Sequence, residues 1–156
     1  MQLSRFTDIG LRAIMRLAVS DEADGRVTTR LIARQVNASE HHVAKAVSRL
    51  IDLGLVQAQR GRTGGLFLTE AGRSVSIGWL IRELEGDREV VVCEGDYPCP
   101  LVSGCRLRRA LAEAKQAFYR ELNRYTLEEL VDAPTAGLLR LLATSAAGGS
   151  VNKELS

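Results

Sequence analysis

The sequence predicts a mainly α fold: a winged helix-turn-helix domain with a small β-hairpin wing, continued into a long helix. Three observations lead there. Two short apolar-periodic segments inside residues 28–54 are joined by a tight Asn37-Ala38 turn. Two short β-prone runs follow at once, on either side of the tip RGRTGG. Beyond a cysteine-bearing loop, Leu107, Leu111, Ala114, Phe118, Glu121 or Leu122, and Tyr125 recur in a heptad-like stripe with steps of three and four.

A first helix is expected over about residues 7–19, with Phe6, Gly10, Ala13, Ile14 and Leu17 on one face. Asp8, Leu11 and Met15 lie on the opposite side, so this second face is expected to meet another chain. The segment DEADGR reads as a turn. Thr28 or Thr29 caps the next helix, which buries Leu31, Ile32 and Val36. Ser39 caps its successor, whose inward residues are Val43, Val47, Leu50 and Ile51, and Gly54 ends it. Strands over 55–59 and 66–68 make the wing. A helix Ile77–Glu85 is expected to bury Trp79, Leu80 and Leu84 before stopping at Gly86. The long stripe after residue 106 suits a dimerisation helix, and Thr126 with Glu129 forms a capping box. The expected organisation is therefore 1–85 winged helix-turn-helix, 86–105 loop, 106–131 dimerisation helix with a short helix after it, and 132–156 flexible tail.

Composition is that of a globular chain: 156 residues, 46% apolar and 26% charged. No run approaches the ~20 apolar residues of a membrane span, so a cytoplasmic protein without a membrane partner is expected. The net charge of +2 conceals a concentration of cations. Residues 26–73 hold eight basic and three acidic side chains, which is the footprint of a polyanion-binding face. In a helix-turn-helix, the start of the second helix meets base edges. Ser39, His41, His42, Lys45, Ser48 and Arg49 are the candidates there, with Thr28 at the head of the first helix. At the wing, Arg60 and Arg62 suit the negative potential of a narrow groove, and Gly64 and Gly65 permit close approach. In a twofold dimer these elements would read a palindrome in double-stranded DNA. Adjacent helical residues diverge by 100°, so His41 and His42 do not easily share a metal ion.

The chain's only three cysteines, Cys93, Cys99 and Cys105, are spaced C-x5-C-x5-C in one loop, CEGDYPCPLVSGC. This spacing is too open for a C-x2-C zinc knuckle. It leaves an iron–sulfur cluster, a wider zinc site and redox-active thiols as alternatives. An enzyme with a nucleophilic cysteine lacks a nearby base, since both histidines belong to the reading helix.

The opening MQLSRFTDIGLRAIMRLA, the segment IARQVNASEHHVAKAVSRL, the wing RGRTGGLFL, the phrase IRELEG and the cysteine loop together resemble one family. It is the winged-helix iron–sulfur transcriptional regulators, and the likeness covers about residues 1–131. The resemblance implies a homodimer, a cluster near the dimer interface, and DNA binding controlled by cluster state. One branch has a fourth ligand, a histidine, three residues beyond the last cysteine; here Arg108 stands there. That departure points to the branch of nitric-oxide-sensing repressors. By its pattern, a 4Fe–4S cluster is held by Cys93, Cys99, Cys105 and Asp8 of the partner subunit, with Arg12 adjacent. Glu85, Glu94 and Asp96 are rival oxygen ligands, 2Fe–2S is an alternative form, and a sensor of iron supply or cluster status is the alternative function. A carboxylate holds iron less tightly than a thiolate does, which makes its iron the natural point of attack.

Overall fold

The computed structural model describes residues 2–20, 26–61, 64–86 and 88–147. The order is α1 (Arg5–Ala18), α2 (Thr29–Gln35), α3 (Glu40–Asp52), β1 (Val56–Gln59), β2 (Gly65–Leu68), α4 (Glu70–Arg73), α5 (Ile77–Glu85), α6 (Arg106–Leu122), α7 (Leu127–Leu130) and α8 (Thr135–Ala147). The DEADGR turn, apart from Arg26, lies outside the described residues.

α1 begins two residues before its expected start, because Ser4 caps it by accepting the Thr7 amide at 3.2 Å. Ile9, Ala13, Ile14 and Leu17 enter the core, while Leu11 and Met15 are half-buried against it. Phe6, expected in the core, is also only half-buried. Thr28 caps α2 and Ser39 caps α3, as their residue types dictate. Between them Asn37 takes φ 53°, a left-handed conformation that asparagine tolerates, and the Ala38 amide returns to the Ala33 carbonyl. α3 buries Val43, Ala46, Val47 and Leu50. Ile51 does not join them and is 37% exposed, since one step past Leu50 turns it 100° from the inward stripe.

β1 and β2 pair antiparallel, Val56 opposite Leu68 and Gln59 opposite Gly65. The Leu66 amide donates to the Val27 carbonyl, which fastens the hairpin to the approach to α2. α5 has the expected bounds, but its inward stripe is Ile77, Leu80, Ile81 and Leu84. Trp79, expected in the core, lies off that stripe and is 40% exposed.

α6 crosses α5 closely. Its inward residues are Tyr119 and Lys115, and Arg82 of α5 lies over the Tyr119 ring at 4.8 Å. The heptad-like stripe is left mostly outward: Leu107 and Tyr125 are exposed, while Leu111, Phe118 and Leu122 are half-buried. The end of α6 is strapped to the start of α5 by Ile77 N–H to Tyr125 O and by Leu127 N–H to Val75 O. The span expected as a flexible tail holds α8 as far as Ala147. Its run TAGLLRLLATSAA is rich in strong helix formers, and Gln35 of α2 donates to the Ala143 carbonyl.

Gly78 is the residue that allows the α5–α6 crossing. A Cβ there would stand 2.2 Å from the Tyr119 carbonyl oxygen and 2.5 Å from Asn123 Oδ1, both too close to relax cheaply. Gly78→Ala is expected to cost about 1–3 kcal/mol, read as a lower urea midpoint at unchanged slope. Gly137→Ala in α8 meets nothing within 4 Å. That change is expected to stabilise by up to about 1 kcal/mol.

Candidate nucleic-acid interface and cysteine loop

The outward face of α3 carries His41, His42, Lys45 and Ser48, all exposed. Ser39 holds the start of this face twice, accepting the His42 amide at 3.3 Å and bonding to His42 Nδ1. The His41 and His42 rings meet edge to face at 5.8 Å. Arg49 is differently placed. It is half-buried, and its guanidinium pairs with Glu83 of α5 at 2.9 Å, which ties the reading helix to the helix that leads into the cysteine loop. Thr28 is engaged as the α2 cap, its Oγ1 accepting the Leu31 amide at 3.2 Å.

At the wing Arg60 is exposed, and Arg62 lies outside the described residues. Gly64 and Gly65 are buried at the base of the hairpin. A Cβ on Gly64 would stand 2.3 Å from the Gln59 carbonyl oxygen, and one on Gly65 2.9 Å from that of Val27. Their smallness closes the hairpin and lets it lie on the Val27 segment.

The cysteine loop is folded back on itself. The Cys99 amide donates to the Cys93 carbonyl at 3.0 Å, and Val102 N–H to Cys99 O and Gly104 N–H to Leu101 O continue the turns. Cys105 caps α6, its Sγ accepting the Arg108 amide at 3.4 Å. All three thiols are free, with Cys93 buried and the other two half-exposed. Burial pushes the Cys93 thiol up, the Arg108 charge opposes this, and Cys99, Glu89 and Cys105 add to the rise. Three soft donors therefore share one loop and feel one another's charge. That donor set fits iron or an iron–sulfur cluster. They are not drawn to a single point: among the described residues no three His, Cys, Asp or Glu side chains are grouped to hold a metal ion.

Arg108, standing where the resemblance allows a histidine, anchors the loop. Its guanidinium binds Glu89 at 2.5 Å and Glu94 at 2.9 Å, which holds both flanks of the loop's first half to α6. The hydrogen bond from Arg108 keeps the Glu89 carboxyl below its ordinary range against some desolvation. A cleft of about 720 Å³ opens beside Cys105, lined also by Val90, Arg106, Arg109 and Leu111.

The candidate oxygen ligands are separated by their partners. Glu94 is taken up by Arg108. Asp96 is exposed within the loop. Asp8 pairs with Arg12 of its own helix at 2.8 Å, half-exposed. Glu85 accepts from the Ser4 amide at 3.1 Å, the Ser4 hydroxyl at 2.9 Å and the Thr7 hydroxyl, so both its oxygens serve the start of α1. Partial burial raises the Glu85 carboxyl, but the bonds from Thr7 and Ser4 and the nearby Arg88 charge outweigh it, and the net shift is downward. Sequence periodicity gave no sign of this clamp.

Fold and site together define a winged-helix DNA-binding regulator with a thiol-bearing loop between its domain and its long helix. The profile described as "Iron-dependent Transcriptional regulator" matches residues 3–133, and the chain belongs to that family, Rrf2. It is 55% identical over 139 residues to the HTH-type transcriptional repressor NsrR of Streptomyces coelicolor, covering 89% of this chain and 94% of that protein. Among solved structures it is similar to CymR (YrzC), the global cysteine regulator of B. subtilis, at 29% identity and TM-score 0.62, covering 83% of this chain and 95% of that one. The fold of T. potens IscR also matches, with TM-score 0.64 at 24% identity over 84% of this chain and 86% of that one. The chain is thus a transcriptional regulator and not an enzyme.

The Glu85 clamp has a pH signature. Its folded-state pKa is lowered, so its stabilisation is complete above the ordinary value of 4.5 and is lost as the pH falls through the folded value. Glu85→Gln is expected to cost on the order of 1–3 kcal/mol at neutral pH. The gap between the two proteins in urea unfolding should narrow as the pH falls below 4.5.

Proposed function

We propose that the chain is a homodimeric cytoplasmic repressor that holds a 4Fe–4S cluster and releases a palindromic operator when nitric oxide attacks it. The observation that carries this reading is the set of three free thiols in one loop, with Arg108 in place of a local fourth ligand. The 55% identity to a protein named as a repressor supports the direction of control. Cys93, Cys99 and Cys105 would hold three corners, and Asp8 of the partner subunit the fourth. Of the three rival carboxylates, Glu85 already holds the start of α1, and Glu94 is drawn to Arg108 of its own chain. Bound there, such a cluster supplies iron that reacts with nitric oxide.

The protein's own residues do the rest. Asp8 is a half-exposed carboxylate with Arg12 at 2.8 Å, so Arg12 would compete with iron for it. Without that ligand a bond between subunits would be absent and α1, which packs on α3, would be less constrained. On the DNA side His41, His42, Lys45 and Ser48 would meet the major groove and Arg60 the flanking groove, with Thr28 and Arg49 at the margins. Two copies would meet half-sites about 10 base pairs apart. A sensor of iron supply is the second reading, favoured by the family's description as iron-dependent.

Anaerobically prepared protein is expected to show visible cluster absorption and to lose operator affinity on titration with nitric oxide. Removal of iron by a chelator with no response to nitric oxide would favour the second reading. Asp8→Ala is expected to retain the cluster but to shorten its lifetime against a chelator by on the order of tenfold. An unchanged spectrum and lifetime in Asp8→Ala, with a change in Asp96→Ala instead, would falsify the ligand assignment.

A further inference from the structure

Arg16, in the last turn of α1, is 1% exposed. A guanidinium in a protein interior is costly unless its donors are met. Here Nε donates to Gln35 Oε1 at 2.8 Å and Nη1 to Ser20 Oγ at 2.8 Å. Gln35, itself 7% exposed, uses its other end as well: Nε2 donates to the Ala143 carbonyl of α8 at 3.3 Å. Only one orientation of the amide serves both neighbours, oxygen toward Arg16 and nitrogen toward Ala143. The result is a largely buried polar chain from α1 through α2 to α8.

Its place in the chain gives it leverage. Gln35 is the last residue of α2, and the turn that aims the reading helix follows directly: Val36, Asn37 at φ 53°, Ala38 and the cap Ser39. Apart from the Glu85 clamp at its start, the other α1 contacts are chiefly apolar, through Ile9, Ala13, Ile14 and Leu17, and apolar surfaces tolerate small slips. A hydrogen bond to a buried guanidinium does not, because its geometry is narrow and an unmet donor there is costly. A shift of α1 must therefore carry Gln35 with it or break the bond.

We propose that Arg16 and Gln35 are positioning residues that couple α1 to the helix-turn-helix, so that the state of the helix bearing Asp8 sets how α2 and the turn into α3 are presented to DNA. This rests on the reading that Asp8 belongs to the cluster site. The bond makes α1 and α2 move as one unit, and α8 holds that unit from the far side.

The test compares operator affinity with and without the cluster, using the full-length protein and a duplex selected by the unsubstituted protein from random sequence. The unsubstituted protein should show a ratio on the order of tenfold or more between the two states. Arg16→Met with Gln35→Met removes the Arg16–Gln35 bond from both sides and leaves no charge in the interior, a change better tolerated than the loss of Gln35 alone. That double variant should keep its cluster spectrum while the ratio falls to within about twofold, as the loss of a coupling term predicts. Gln35→Glu, which retains an acceptor for Arg16, should restore the ratio. A double variant that keeps the full ratio overturns the proposal, as does one that loses affinity equally in both states, since a merely structural role would act in that way. A ratio near one in the unsubstituted protein would instead show that the functional reading itself has failed, and the coupling with it.

Discussion

The structure depends on the requirement that α1 be satisfied at both ends while its middle is buried. Ile9, Ala13, Ile14 and Leu17 anchor the helix in the core. That apolar seam fixes the depth of the helix but only loosely its position along its own axis. Position comes from the ends. At the start, Glu85 takes the Ser4 amide and the hydroxyls of Ser4 and Thr7, so the cap of α1 is joined to the last residue of α5. At the finish, Arg16 takes Gln35 at the end of α2. One clamp adjoins the entrance to the cysteine loop and the other the turn into the reading helix.

Much of this was legible in the sequence where local chemistry decides the outcome. Ser39 before a polar-then-apolar helix, Asn37 at the turn, and β-prone runs around a glycine-rich tip each specify their conformation with little help from the rest of the chain. What was not legible arises where tertiary packing overrides the local signal. Periodicity assigns an arginine in an amphipathic helix to solvent, so Arg16 could not be recognised as buried without knowing that Gln35 lies opposite. Trp79 was expected inside because it is large and apolar, but the inward stripe of α5 is set by Ile77, Leu80, Ile81 and Leu84, and the indole is left on the flank. α8 was missed because the alanine, glycine, serine and threonine of its surroundings hid a leucine-rich helical run.

The candidate site divides in the same way. The three cysteines and the absence of a histidine at position 108 were visible at once. That Arg108 is the loop's anchor, binding Glu89 and Glu94, was not, since both carboxylates are ordinary loop residues until the chain folds back. The placement of the glycines also changed meaning. Gly64 and Gly65 serve the closure of the hairpin base, and Gly78, unremarked in the sequence, is what brings α6 against α5 and so seats the far end of the loop.

Exposure separates the contacts that can change from those that must hold. The Asp8–Arg12 pair is half-exposed, an i,i+4 contact worth about 0.3–0.5 kcal/mol, so Asp8 can leave it for a better partner and return at little cost. The Arg16–Gln35 bond lies two turns along the same helix and is buried, so breaking it takes one directional bond from a guanidinium in the interior. α1 thus carries a weak, wet pair on its outer face between two stronger attachments, the Glu85 clamp at its start and the Arg16–Gln35 bond at its finish. The outer pair can rearrange without destabilising the fold, because the attachments that fix the helix do not depend on it.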